Sequence, residues 1–247
     1  MRLASRGAQY IGAMKMPWFA PIAHLLPSQC AVCHSWPSQP VCHACVTLFA
    51  QPTARCRSCA LPVPASQTQC GTCITERPAL DAAYAAVAYA YPWSRLVVEF
   101  KFKQHPGWAG SMALLMRSAP WVEPALDAAD LVLPMPLSRE RLKERGFNQA
   151  LLLARALAPT KTRAQLLLRV QDTPAQSSLS RAQRLRNVQH AFAVDPLRQT
   201  SIREKRVVLV DDVMTSGATL AAAARSLRRA GAAHIAAVVF ARAERGA

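Results

Sequence analysis

From Val207 to Leu220 the chain reads Val-Val-Leu-Val-Asp-Asp-Val-Met-Thr-Ser-Gly-Ala-Thr-Leu. Four apolar residues predict a buried strand that delivers Asp211 and Asp212 to its carboxyl end, where ligands bind in open α/β sheets. The small residues Thr215, Ser216, Gly217, Ala218 and Thr219 then open a helix. Successive N–H groups, three hydroxyls and the positive end of a helix dipole make such a turn suited to a phosphate dianion. Gly217 lets the backbone come close. The two carboxylates would repel that phosphate, but they accept hydrogen bonds from sugar hydroxyls or approach a sugar-bound Mg²⁺. Acids at one end and phosphate donors at the other measure out a 5-phosphoribosyl unit. The segment lacks both the GxxxxGK[ST] of a P-loop and the GxGxxG of a dinucleotide turn. Its bland reading is a strand–turn–helix in which the acids serve only as caps.

A second chemistry lies further forward. All eight cysteines fall between Cys30 and Cys73, as the CxxC pairs Cys30/Cys33, Cys42/Cys45, Cys56/Cys59 and Cys70/Cys73. Each pair aims two thiolates at one ion, and two pairs complete a tetrahedral S₄ site. Sequential pairing predicts one zinc on Cys30, Cys33, Cys42 and Cys45 and a second on Cys56, Cys59, Cys70 and Cys73; interleaved pairing is the alternative. Both shells are full, so the sites are read as structural, with His34 and His43 left outside them. Four such pairs exceed what a thioredoxin-like redox site needs. No export signal is read at the N-terminus, which places the thiols in a reducing cytoplasm and favours metal over disulfides.

Three segments are expected to carry these residues. Residues 1–27 form a tail and a short helix, with Met14 and Met16 as alternative starts. Residues 28–78 are a proline-rich double zinc ribbon with too little apolar patterning for a core, so metal must hold it. From residue 79 to 247, strands alternate with helices: strands over 82–91, 130–136, 205–212 and 234–241, helices over 94–104, 107–119, 148–158 and 217–231. That order predicts an α/β domain with a mainly parallel sheet. The polar stretch 171–190 reads as a mobile lid or as a surface helix. No apolar run reaches the roughly 18 residues of a membrane span. A net charge of +16 favours polyanionic partners, or reflects solvated arginines.

The Asp211–Thr219 run resembles the phosphoribosyl pyrophosphate (PRPP) motif of type I phosphoribosyltransferases. Together with Arg145-Gly146-Phe147-Asn148-Gln149, the spaced Gln176, Arg181 and Asn187-Val188, and the CxxC-rich front, it resembles the ComF (GntX-like) family, a group linked to competence and DNA uptake. The resemblance implies a type I phosphoribosyltransferase-like parallel sheet flanked by helices. It implies PRPP bound with Mg²⁺ and displacement of pyrophosphate through an oxocarbenium-like state. The turn after the 130–136 strand would be the pyrophosphate loop, holding Arg139, Arg141, Lys143 and the preferred contact Arg145, with Lys101 and Lys103 as further cations. Residues 171–190 would close over PRPP, bringing Arg181 and Arg184 to the pyrophosphate. Asp211 or Asp212 would serve as base; His105 and His190 read as surface residues. Met214-Thr215-Ser216 stands where many relatives have two threonines, and Ser216 keeps the hydroxyl.

Three functions compete. The first is a PRPP-binding phosphoribosyltransferase-family protein acting in DNA uptake, with single-stranded DNA and competence-machinery proteins as partners. The second is a non-catalytic nucleic-acid adaptor built on the zinc module, with Arg55 and Arg57 beside Cys56 and Trp18, Trp36 and Phe49 as stacking candidates. The third is a purine-salvage or amidophosphoribosyl enzyme, against which stands the lack of a glutaminase domain and of a base-recognition hood.

Overall fold

A computed structural model of the protein describes residues 28–76, 78–171 and 191–244. Packing divides the chain into two compact units between His43 and Ala44. In the first, Ser28 and Ser38 pair as an antiparallel bridge, with N–H to C=O distances of 2.8 and 2.7 Å. The Cys30 knuckle turns inside that bridge. The division falls within helix α1 (His43–Phe49).

The second unit contains the sheet. Its strands β1 (Ala82–Ala88), β2 (Leu131–Pro134), β5 (Arg206–Met214) and β6 (His234–Arg242) lie in the order β1-β6-β5-β2, with each neighbouring pair parallel. The central strands β5 and β6 are buried on both faces, which is why Val207–Val210 and Ile235–Phe240 are apolar without alternation. A carboxylate staples the start of each: Asp81 accepts from the Ile235 N–H at 2.7 Å, and Asp130 from the Arg206 N–H at 2.8 Å. Both acids stand just before an edge strand, so each fixes the register of the central strand beside it.

Between β1 and β2 come α3 (Trp93–Phe102), α4 (Trp108–Ser118) and α5 (Val122–Asp127); α2 (Gly71–Thr75) precedes them in the second cysteine ribbon. α6 (Arg139–Arg145) and α7 (Gln149–Leu157) follow β2, and α8 (Ala218–Arg229) joins β5 to β6. α7 packs on β2 and β5, α4 on β1 and β6, and α8 on β6. A small antiparallel pair, β3 (Leu167–Arg169) and β4 (Phe192–Val194), packs on α8. The alanine-rich α8 buries Ala218, Ala222, Ala223 and Ala224 beside Leu220 and Leu227, so small side chains let the helix sit close to its neighbours.

Two elements differ from the sequence reading. The strand expected to end at Asp212 continues through Val213 to Met214 and pairs as far as Arg242. The acids therefore sit inside the last turn of pleat, not at its tip. The expected pyrophosphate loop is helical over Arg139–Arg145. Arg-Glu-Arg-Leu-Lys-Glu-Arg is made of strong helix formers. Ser138 caps the helix by accepting from the Arg141 N–H at 3.2 Å, and Gly146 closes it at φ 77°. Among the described residues, no helix is long and apolar enough to cross a membrane.

Candidate functional site

The carboxyl ends of β2 and β5 lie side by side. Past β2, the Met135 N–H donates to the Val210 carbonyl at 2.9 Å, one residue before Asp211. Successive residues of a strand point to opposite faces. Asp211 and Asp212 accordingly part company. Asp212 is buried and meets Lys101 of α3, Nζ to Oδ1 at 2.7 Å. Asp211 stays partly exposed. Burial, then the neighbouring Asp212 carboxylate, push the Asp211 carboxyl up to about 7; Lys101 and Arg145 act against both. The expectation that both acids would face one ligand is thus met by two different environments.

The sign of the Asp211 shift has a consequence for stability. The folded chain holds this proton more tightly than the unfolded chain, whose carboxyl has an ordinary value near 3.8. Its contribution is complete below that value and is lost as pH rises through about 7. We expect the melting temperature of ligand-free protein to fall over that window by more in the wild type than in Asp211→Asn. Parallel pH–melting profiles for the two proteins would contradict this.

After Met214 the chain turns through Thr215, Ser216 and Gly217 into α8. Gly217 has φ 76°, so a side chain there would strain the backbone, and its Cβ, 2.7 Å from the Met214 methyl, would make that flexible side chain shift. Ser216 Oγ accepts from the Ala218 N–H at 3.3 Å. Among the described residues, the Ser216 and Gly217 N–H groups donate to no backbone carbonyl. Thr215 is exposed and Thr219 partly so. Ala218 and Thr219 already belong to the helix, in its first turn, where N–H groups have no intrahelical acceptor; that of Ala218 is met by Ser216 Oγ.

The Arg145–Gln149 segment borders the acids. Phe147 packs on Phe100 of α3 with ring centroids 5.7 Å apart. Asn148 caps α7 by accepting from the Leu151 N–H at 3.1 Å and donates to the Met135 carbonyl at 3.0 Å, which ties the segment to the β2 exit. Arg145 lies over the Phe102 ring, 5.1 Å from its centroid, and donates to Gln149 Oε1 at 3.2 Å. Arg145 Nε and Gln149 Nε2 are buried without a hydrogen-bond partner among the described residues. Leaving buried donors unpaired costs on the order of 1–3 kcal/mol each. Both are donors, the type of group from which an anion accepts. Gln149 was named in the sequence only as part of the Arg145–Gln149 motif and given no role of its own, because it reads as one polar position on an amphipathic helix.

Lys103 pairs with Glu99 at 3.6 Å, and Arg139 and Lys143 are exposed on α6. His105 is exposed. Arg181, Arg184, Gln176, Asn187, Val188 and His190, with the proposed lid, lie outside the described residues, as do Trp18 and the rest of 1–27.

The cysteines form two groups, Cys30/Cys33/Cys42/Cys45 and Cys56/Cys59/Cys70/Cys73, with all ligand atoms within 4.8 Å of one another in each. This is the sequential pairing. Zn–S bonds of about 2.3 Å set tetrahedron edges of roughly 3.8 Å. The Cys33–Cys42 and Cys59–Cys70 sulfurs are each 3.6 Å apart. Burial works to raise the Cys30 thiol, but N–H groups of Cys33, Cys42 and Val32 outweigh it and bring it down to about 6. The same contest, with N–H groups of Cys70, Ser58 and Cys59, leaves Cys56 at about 7. Backbone N–H groups thus favour the thiolate form at Cys30 in one group and at Cys56 in the other. His34 and His43 are exposed and belong to neither. Phe49 packs edge-on to Tyr91, whereas Trp36 is exposed.

The phosphoribosyl transferase domain family matches residues 148–247. The chain is 31% identical to a DNA utilization protein YhgH of Salmonella typhimurium over 79% of its own length and 87% of that protein. It is 31% identical to competence protein F of Haemophilus influenzae, covering 71% of this chain and 79% of the relative. Competence protein ComFC of Bacillus subtilis is 37% identical over 41% of this chain and 39% of its own. With the parallel sheet flanked by helices and the two cysteine groups of four in front, these matches show that the chain belongs to the ComF-like family and carries a phosphoribosyltransferase-type domain, matched over residues 148–247.

Proposed function

We propose that the protein binds PRPP on the loop from Asp211 to Thr219 and works in DNA uptake; its relatives are named for DNA utilization and for competence. The observation that carries the reading is the junction of β5 and α8. A partly exposed, proton-hungry carboxylate stands at one end and a glycine-bent turn of unclaimed N–H groups at the other. The ribose 5′-phosphate would sit on Ser216–Thr219, with the Thr215, Ser216 and Thr219 hydroxyls around it. Asp211 would accept from a ribose hydroxyl. Asp212, held by Lys101, would fix the strand end and its charge balance.

The pyrophosphate would lie toward Arg145 and Gln149, whose orphaned donors need an acceptor. Mg²⁺ carried by the substrate would neutralise the phosphates, and Asp211 offers the hard carboxylate oxygen it accepts. In transfer, the C1–pyrophosphate bond breaks as an acceptor attacks C1, and Arg145 stabilises the charge on the leaving group. The two cysteine groups would each hold a structural zinc, for which four sulfurs within 4.8 Å of one another are suited. Arg145→Met is expected to weaken PRPP at least tenfold and leave ribose 5-phosphate, which lacks pyrophosphate, unchanged. An equal loss for both ligands in calorimetry would move Arg145 out of this subsite.

The test of function is a thermal scan with Mg²⁺ and PRPP, followed by an assay for released pyrophosphate with candidate acceptors. A rise in melting temperature supports the binding reading, and release supports transfer. No shift with PRPP, together with a steeply salt-dependent affinity for single-stranded DNA, would favour an adaptor instead.

A further inference from the structure

Arg242, the last residue of β6, is only 3% exposed. Its guanidinium gathers carbonyls from three separate stretches of chain. Nε donates to Cys59 O at 2.7 Å. Nη1 donates to Met214 O at 2.9 Å, and also to Thr215 O and Ala243 O. Cys59 belongs to the second cysteine group, while Met214 and Thr215 lead into the α8 turn. One buried cation thus joins a metal knuckle to the entry of the phosphate loop. The knuckle is anchored a second time where the Ala83 N–H of β1 donates to Arg57 O at 2.6 Å.

Peptide geometry turns these contacts into a statement about the loop. In a trans peptide, the C=O of one residue and the N–H of the next point opposite ways in one plane. Met214 O, which also accepts from the Ala243 N–H at 3.0 Å, and Thr215 O both face Arg242, so the Thr215 and Ser216 N–H groups point away from it. Lysine could not reproduce this, since its ammonium lacks the planar fork that spans several carbonyls. Where Arg242 itself sits depends in turn on Cys59 O, and Cys59 O is fixed by whatever holds the Cys59 sulfur.

We propose that Arg242 positions the phosphate loop and couples it to the metal held by Cys56, Cys59, Cys70 and Cys73. This rests on the reading of residues 215–219 as a phosphate cradle and goes beyond it: ligand affinity depends on the state of the second metal, and metal retention depends on the ligand. Coupling between two sites is reciprocal, commonly about fivefold or more.

The test uses the full chain with zinc in both groups. Zinc loss to a chromogenic chelator is followed by native mass spectrometry, with and without saturating Mg²⁺–PRPP. Hydrogen exchange reports both which ribbon opens and the protection of the 215–216 amides. PRPP is expected to lower zinc loss from the second group at least fivefold, with no effect on the first. Emptying the second group is expected to raise exchange at 215–216 in ligand-free protein. Arg242→Met abolishes both effects while both zincs can still be loaded, and Arg242→Lys restores them only in part. PRPP that binds without changing zinc retention overturns the coupling and leaves the phosphate reading intact. PRPP that fails to bind overturns the phosphate reading. The coupling is then decided by exchange alone, and amides 215–216 indifferent to the second metal refute it.

Discussion

Replacing Asp211 and Asp212 together by asparagine weakens PRPP binding at least 100-fold, and the two single variants separate the roles of the acids. Asn keeps size and hydrogen-bonding capacity but removes the charge that accepts strongly from a sugar hydroxyl. Asp211→Asn loses affinity and gains stability above neutral pH, because a carboxylate pushed up to about 7 by burial and by Asp212 resists ionising in the fold. Asp212→Asn does the reverse for stability. It leaves Lys101, whose side chain is 18% exposed, without its 2.7 Å partner. Breaking one side of such a buried pair costs about 3 kcal/mol. Lys101→Met in the Asp212→Asn background recovers much of that stability without recovering the ligand. Calorimetry and denaturant melts on the four proteins check the pattern. Equal stability changes for the two single variants would show that the strand does not send the acids to different environments.

The second large effect is expected from metal removal. In the two ribbons the buried apolar side chains are few: Cys30, Val41 and Cys45 in one, Cys56 and Ala60 in the other. Such a core cannot hold a fold by burial. Structural zinc in small ribbons is worth an apparent ~10–16 kcal/mol near neutral pH. The ribbon around Cys56 also bonds to the sheet through Arg57 O and Cys59 O, so its loss reaches β1 and β6. A chelator should therefore extract two zinc equivalents per chain and lower the melting midpoint by at least about 10 °C, on the order of several kcal/mol for a protein of this size. Returning zinc restores the midpoint. A metal-free chain that melts as the loaded one does would show that the thiols are not structural ligands.

How much of this could be read in the sequence depended on whether the signal was local. The β5–α8 junction was legible because strand, acids, turn and helix start are consecutive between Val207 and Leu220. The sequential grouping of the cysteines was favoured over interleaved pairing by the short loops within each ribbon, and the structure brings together those same two groups. The Lys101–Asp212 pair was not legible as a pair. It joins a helix after β1 to the end of β5, and nothing in the local pattern of α3 marks Lys101 apart from Lys103, which pairs with Glu99 instead. Arg242 stayed hidden for the same reason: a charge at the end of an apolar strand looks solvated until the chain folds carbonyls of Cys59, Met214 and Thr215 around it. The α6 helix was a different kind of miss. Ser138 and Gly146 are ordinary cap residues around a helix-forming run, and the resemblance to a pyrophosphate loop outweighed that local evidence.

The most direct measurement is a crystal structure of the protein with Mg²⁺ and PRPP. The account predicts the 5′-phosphate on the N–H groups of Ser216–Thr219, a ribose hydroxyl on Asp211, and the pyrophosphate within hydrogen-bond reach of Arg145 and Gln149. A ligand bound elsewhere, or phosphate density with the Asp211 carboxylate turned away from the sugar, would contradict it.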